Sequence, residues 1–208
     1  DYFAAAYGSR VTGELSGFHV VDHRADFKQI VDSGSRLITL PSTFVERPKS
    51  WWRQQIGGAY LSSAGLGLVE IGAKPPLTSA DVPPGTPVEL GDGIRLMAHS
   101  IKLANSALRV TLYWQASQAP SQNYSVFLHL SDKDRISAAQ DIIAQADSQN
   151  PVYGWYPTGK WSAGEIVRED YKLDIPPDET PRLLEVGLYT RDASGAFHNM
   201  GVVSLRLD

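Results

Sequence analysis

The chain is predicted to be mainly β: an antiparallel β-sandwich of jelly-roll type over residues 91–208, preceded by a small α/β unit over residues 1–74. Three observations predict this. The second half carries run after run of strictly alternating apolar and polar residues. Turns rich in Gly, Pro and Asp separate those runs. Between the halves lies a proline-rich stretch, residues 75–90, which with Lys74 holds five of the 13 prolines. Proline fixes φ and lacks the backbone donor, so this stretch is read as an extended, semi-rigid linker.

In the first half the patterns mix. Tyr2 to Tyr7 is helix-prone, and Phe18-His19-Val20-Val21 is an apolar strand candidate. Asp22 is placed to cap a helix starting near Arg24, with Phe27, Ile30 and Val31 at helical spacing and Gly34 ending it. Arg36 to Leu40 reads as a strand. A short helix after Pro48 carries Trp51, Trp52 and Ile56 and stops at Gly57-Gly58. Tyr60-Leu61-Ser62 and Leu66 to Ile71 read as two closing strands, which gives the order β-α-β-α-β-β.

In the second half, Leu108, Val110, Leu112, Trp114 and Ala116 share one face of a strand, and Arg109, Thr111, Tyr113 and Gln115 the other. Tyr124, Val126, Leu128 and Leu130 alternate with Ser125, Phe127, His129 and Ser131. Val167, Glu169, Tyr171, Leu173 and Ile175 share a face, as do Leu184, Val186 and Leu188, and Val203, Leu205 and Leu207. Residues 93–101 and 142–147 complete the set. Such alternation means one dry and one wet face, as in a two-sheet sandwich.

Composition excludes several function classes. The net charge is −4, with eight Lys and Arg against seven Asp and Glu in residues 1–76, and eleven against sixteen in residues 77–208. Neither half has the broad basic surface of a nucleic-acid or anionic-membrane binder. There are no cysteines, which removes disulfides, thiolate metal sites and cysteine nucleophiles. No apolar run approaches the roughly 20 residues that span a bilayer. The chain begins Asp1-Tyr2-Phe3, without Met or a signal-peptide pattern, and is expected to be a fragment of a longer protein.

No catalytic or metal-ligating set emerges. There is no Gly-x-Ser-x-Gly elbow, and Ser62 and Ser63 have no patterned base. His19 and His23 flank Asp22 without the Glu or third ligand of a zinc motif. Glu165, Glu169 and Asp170, and Asp132 and Asp134 within Ser131 to Arg135, are carboxylates of the kind glycosidases pair across a cleft. Solvated surface is the expectation for all of them. No cofactor is expected. The aromatic segment Tyr153-Gly154-Trp155-Tyr156-Pro157-Thr158-Gly159-Lys160-Trp161 differs, because flat rings on a Gly/Pro loop can stack on sugar C–H faces. Tyr153, Trp155, Tyr156 and Trp161 are therefore the candidate ligand-binding residues. The alternative is that these rings plug the end of the sandwich.

An ordered series of motifs also carries a resemblance. It begins with Gly93-Ile94-Arg95-Leu96, then Leu108-x-Val110-Thr111-Leu112-Tyr113-Trp114-Gln115 and Tyr124 to Leu130. It continues with Ala144-Gln145-Ala146-Asp147 and Tyr156-Pro157-Thr158-x-x-Trp161-x-x-Gly164-Glu165-x-Val167. Tyr171-x-Leu173-x-Ile175-Pro176 and Val186-Gly187-Leu188-Tyr189 close it. Residues 93–207 thereby resemble the β-sandwich appended to membrane glycosyltransferases of the dolichyl-phosphate-mannose protein mannosyltransferase type, relatives of the aminoarabinose lipid A transferases. Two departures are the long Asp132–Ile143 segment and Gly159, where serine is common. The resemblance implies an accessory, non-catalytic domain on the extracytoplasmic face, periplasmic or extracellular. Its implied partners are the membrane-embedded part of the same polypeptide and a glycan or protein acceptor, with no nucleic acid. A free-standing carbohydrate-binding module and a structural interaction domain are the other readings.

Overall fold

The computed structural model describes residues 17–65, 67–104 and 106–207, so the helix-prone Tyr2–Tyr7 lies outside the described residues. The chain is mainly β, with three antiparallel sheets and a few short helices. Helix α1 (Phe27–Asp32) is capped by Asp26, whose carboxylate accepts from the Gln29 N–H at 2.9 Å. Asp22 instead bonds the Arg24 N–H at 2.8 Å, so the helix starts later than predicted. The expected strand Phe18–Val21 does not form. The small sheet is ordered β1-β3-β2, and Phe18–Val21 is not one of its strands.

That small sheet comprises β1 (Leu37–Thr39), β2 (Tyr60–Ser63) and β3 (Val69–Gly72). Between β1 and β2 run α2 (Thr43–Glu46) and α3 (Lys49–Ile56). Helix α3 starts at Pro48 and ends at Gly57, whose φ of 79° is the left-handed conformation that favours glycine. Its Trp52 and Ile56 are buried beside Phe27, and the Phe27 and Trp52 rings meet edge to face at 5.2 Å. Beneath the sheet's outer side, Arg36 Nε lies 3.0 Å from both oxygens of Glu70, a carboxylate only 7 % exposed.

The sandwich packs two four-stranded sheets. One is ordered β4-β5-β6-β9, from β4 (Val88–Gly91), β5 (Ile94–Ala104), β6 (Ala107–Ala116) and β9 (Ile166–Asp174). The other is ordered β11-β10-β7-β8, from β7 (Ser125–Ser131), β8 (Ala144–Ser148), β10 (Leu183–Arg191) and β11 (Phe197–Arg206). The chain crosses between sheets after β6, β8 and β9, so each sheet is woven from separated parts of the sequence. The inward faces are those the alternation selects: Leu112, Trp114, Val126, Leu128, Val167, Leu184, Val186 and Leu188 have no accessible surface.

The two sheets come close together at one corner, where β11 crosses β4. A Cβ at Gly201 would lie 2.5 Å from the Leu90 carbonyl oxygen and 2.8 Å from its Cα, both backbone atoms that cannot swing aside. Gly201→Ala is therefore expected to destabilise the protein by about 1–3 kcal/mol, measured by urea denaturation.

The proline-rich stretch is mostly exposed, but it is not detached. Leu77 bridges to Ile166 of β9, and Asp81 accepts from both the N–H and hydroxyl of Thr78 at 2.8 Å. One contiguous apolar core extends from Phe27, Phe44, Trp52 and Leu61 to Trp114, Trp161 and Val203. The two halves thus pack against each other through a seam, and the aromatic segment lies along it.

Candidate functional site

The seam is built by the segment between β8 and β9. It opens with three successive left-handed residues: Val152 (φ 55°), Tyr153 (φ 56°) and Gly154 (φ 88°). Glycine adopts this region freely, whereas a β-branched valine there is a genuine outlier costing about 1–3 kcal/mol. Compensation comes from both ends. The Val152 side chain is fully buried, and its backbone N–H donates to the Glu169 carboxylate. The backbone turn closes through Gly154 N–H to Asn150 O and Tyr156 N–H to Pro151 O, each 2.9 Å.

Tyr153 then stitches the halves together. Its hydroxyl donates to Gly65 O at 2.6 Å, accepts from Gly67 N–H at 3.0 Å and sits 2.9 Å from Ser63 Oγ. Ser63 in turn donates to Asp170 Oδ2 at 2.5 Å, and Ser62 Oγ accepts from the backbone N–H of Arg168 at 3.0 Å. Strand β2 is thereby fastened along the edge of β9. Tyr153→Phe is expected to lose about 1–2 kcal/mol, with faster amide exchange confined to residues 61–65 and 150–156, read by hydrogen–deuterium exchange.

The other three aromatic candidates face inward. The Trp155 ring lies 5.5 Å from that of Phe44 on α2 and is half-buried. Tyr156 is 1 % exposed; its hydroxyl donates to Glu165 Oε1 at 2.5 Å, and Lys49 Nζ lies 4.0 Å from its ring centroid. Trp161 is 2 % exposed, and its indole N–H is buried without a partner among the described residues. A sugar cannot reach Tyr156 or Trp161 in this fold, which corrects their assignment as stacking residues: they pack the seam. Trp155 presents only part of its ring, and Tyr153 spends its hydroxyl on the neighbouring loop.

The carboxylates expected on solvated surface are buried instead. Glu165 and Glu169 are each 2 % exposed, and Asp170 is 6 % exposed. Each is satisfied by the fold's own donors, as buried charge requires. Glu165 accepts from Tyr156 and from Ser162 N–H at 2.7 Å. Glu169 accepts from Trp114 Nε1 at 3.1 Å and Tyr171 OH at 2.6 Å. Asp170 Oδ1 accepts from Thr111 Oγ1 at 2.6 Å and Arg168 Nη2 at 3.0 Å.

Burial raises the pKa of Glu165, and pushes that of Glu169 up to about 7. Lys49, desolvated over Tyr156 and beside Arg53, is pushed down to about 8. Asp132 and Asp134 lie outside this seam, and Asp134 pairs with Arg182 at 3.0 Å. His19 and His23 are exposed. Among the described residues no three His, Asp or Glu side chains gather to hold a metal.

What the seam leaves open is a polar groove of about 370 Å³ beside the strained turn. Asp147, Ser148, Gln149, Tyr153, Glu169, Asp170 and Tyr171 border it. Of these residues, only Tyr153 is among those the sequence predicts as ligand-binding. Glu169 was legible in principle, since it shares the dry face of β9 with Val167 and Leu173. Comparison of the chain with protein-family models, with curated proteins and with solved structures returned no match.

Proposed function

We propose that the chain is a non-catalytic extracytoplasmic accessory domain of a membrane glycosyltransferase, one that holds or positions rather than reacts. The resemblance of residues 93–207 to the appended sandwich of protein mannosyltransferase-type enzymes supports the family. The observation that supports the absence of chemistry is the state of the acids. Glu165, Glu169 and Asp170 are buried and bonded to Tyr156, Trp114, Tyr171, Thr111, Ser63 and Arg168 of their own fold. A general acid or nucleophile must instead present its oxygen to a substrate. The proposed partner is the membrane-embedded part of the same polypeptide, on the periplasmic or extracellular side.

This reading predicts multi-pass hydrophobic sequence in the same gene product. It also predicts that removing this domain from the full-length enzyme raises the acceptor KM while leaving binding of the lipid-linked sugar donor intact. Loss of donor binding on removal, or a gene product without membrane spans, contradicts it.

A second reading, carbohydrate binding, is favoured by one observation. The polar groove offers exposed Asp147 and Gln149 beside Tyr153, a mixture suited to sugar hydroxyls and a C–H face. Asp147→Ala lies outside the packed core, so loss of glycan-array signal in that variant would support this reading. A wild-type chain that binds no glycan would remove it.

A further inference from the structure

We propose that the outer face of β5, β6 and β9, where it meets the turn after β2, is a binding site for a phosphate group. The pairing register sets Lys102 directly opposite Arg109, and Arg109 directly opposite Lys172, so three cations lie abreast across three strands. Like charges opposed across strands repel and are normally avoided. Relief is uneven. Lys172 pairs with Asp174 at 2.6 Å, whereas Lys102 and Arg109 are exposed and have no ion-pair or hydrogen-bond partner among the described residues.

Lys102 and Arg109 line a groove of about 200 Å³ together with Ser100, Thr111, Arg168 and Gly65. Asp170 and Tyr171 also border it. Asp170 is the one carboxylate there, and its charge is already taken up by Arg168, Thr111 and Ser63. The guanidinium of Arg109 and the ammonium of Lys102 supply charged donors suited to phosphate oxygens. Two free cations do not make a polyanion footprint, and the chain as a whole is acidic, so the site suits one phosphate group and not a nucleic acid. This inference does not depend on the transferase reading, since it rests on the register and charge of the sheet alone.

The test compares wild type with Lys102→Gln/Arg109→Gln, an exposed pair whose replacement relieves repulsion and leaves the core untouched. Glycerol 3-phosphate is titrated by NMR in one arm. Phosphatidylcholine vesicles with and without phosphatidic acid are used for co-sedimentation in the other. Shifts confined to amides near 100–102, 109–111 and 168–170 with glycerol 3-phosphate identify a soluble ligand. Sedimentation only with phosphatidic acid identifies a lipid headgroup. Either is the expected result, with affinity falling roughly fivefold for each cation removed and weakening with added salt. No response in either arm, or equal responses from wild type and the double variant, overturns the proposal.

Discussion

Trp114→Ala is expected to lower the unfolding free energy by about 3–5 kcal/mol, the largest effect of any single substitution considered. Trp114 has no accessible surface and lies on the inward face of β6, between the two sheets. Its loss opens a cavity that a sandwich pinned by cross-strand pairs on both sides cannot close. It also withdraws the indole donor from Glu169, leaving that buried carboxyl with fewer partners. Trp114→Phe separates the two contributions. It keeps most of the ring volume while removing the donor, and is expected to cost about 1–2 kcal/mol. Urea denaturation of the three proteins at one pH checks both values.

The second large effect is a fall in stability between about pH 4.5 and pH 7. Burial holds the pKa of Glu169 at about 7 in the folded protein, above the value of 4.5 for a free side chain. In that window the folded state binds more protons than the unfolded state, so stability declines as pH rises. The contribution is fully present below pH 4.5, and is lost by the time pH passes 7. Its size is about 3 kcal/mol at most.

Glu165 is raised in the same direction, whereas half-buried His129, lowered by desolvation, pulls the other way. The difference between wild type and Glu169→Gln isolates the one group. Glutamine can still accept from Trp114 and can donate to the Tyr171 hydroxyl oxygen. The variant is expected to be more stable than wild type at pH 8 and to have a flatter pH profile, measured by thermal melts across pH 4–8. Parallel profiles for the two proteins would show that Glu169 does not titrate there.

Strands with one dry and one wet face were legible from alternation. Leu108, Val110, Leu112 and Trp114 point inward as the period-two pattern requires. The ends of α3 were equally legible, because Pro48 and Gly57 each fix the backbone by their own chemistry. Strand pairing was not. The neighbours β6 and β9 are some 50 residues apart, and nothing local announces such contacts. Phe18–Val21 misled for the same reason: an apolar run does not by itself specify a strand.

The fate of the seam aromatics turned on tertiary packing. Tyr156 and Trp161 have the composition of a sugar platform, and only the approach of Lys49 and Phe44 from the first half of the chain turned this segment into a fastener. Glu169 is the clearer lesson. Its place on the dry face of β9 was visible, but a charged residue defaults to solvent unless partners are known, and Trp114 and Tyr171 are partners that the fold supplies.

The proposed accessory role requires that the buried acids of the sandwich perform no chemistry. The most direct measurement is a turnover assay of the isolated chain, offered lipid-linked sugar donors with acceptor peptide and, separately, chromogenic glycosides. No product above the buffer control is expected for wild type or Glu169→Gln. Product formation by wild type that disappears in Glu169→Gln, with the fold intact, would contradict that role.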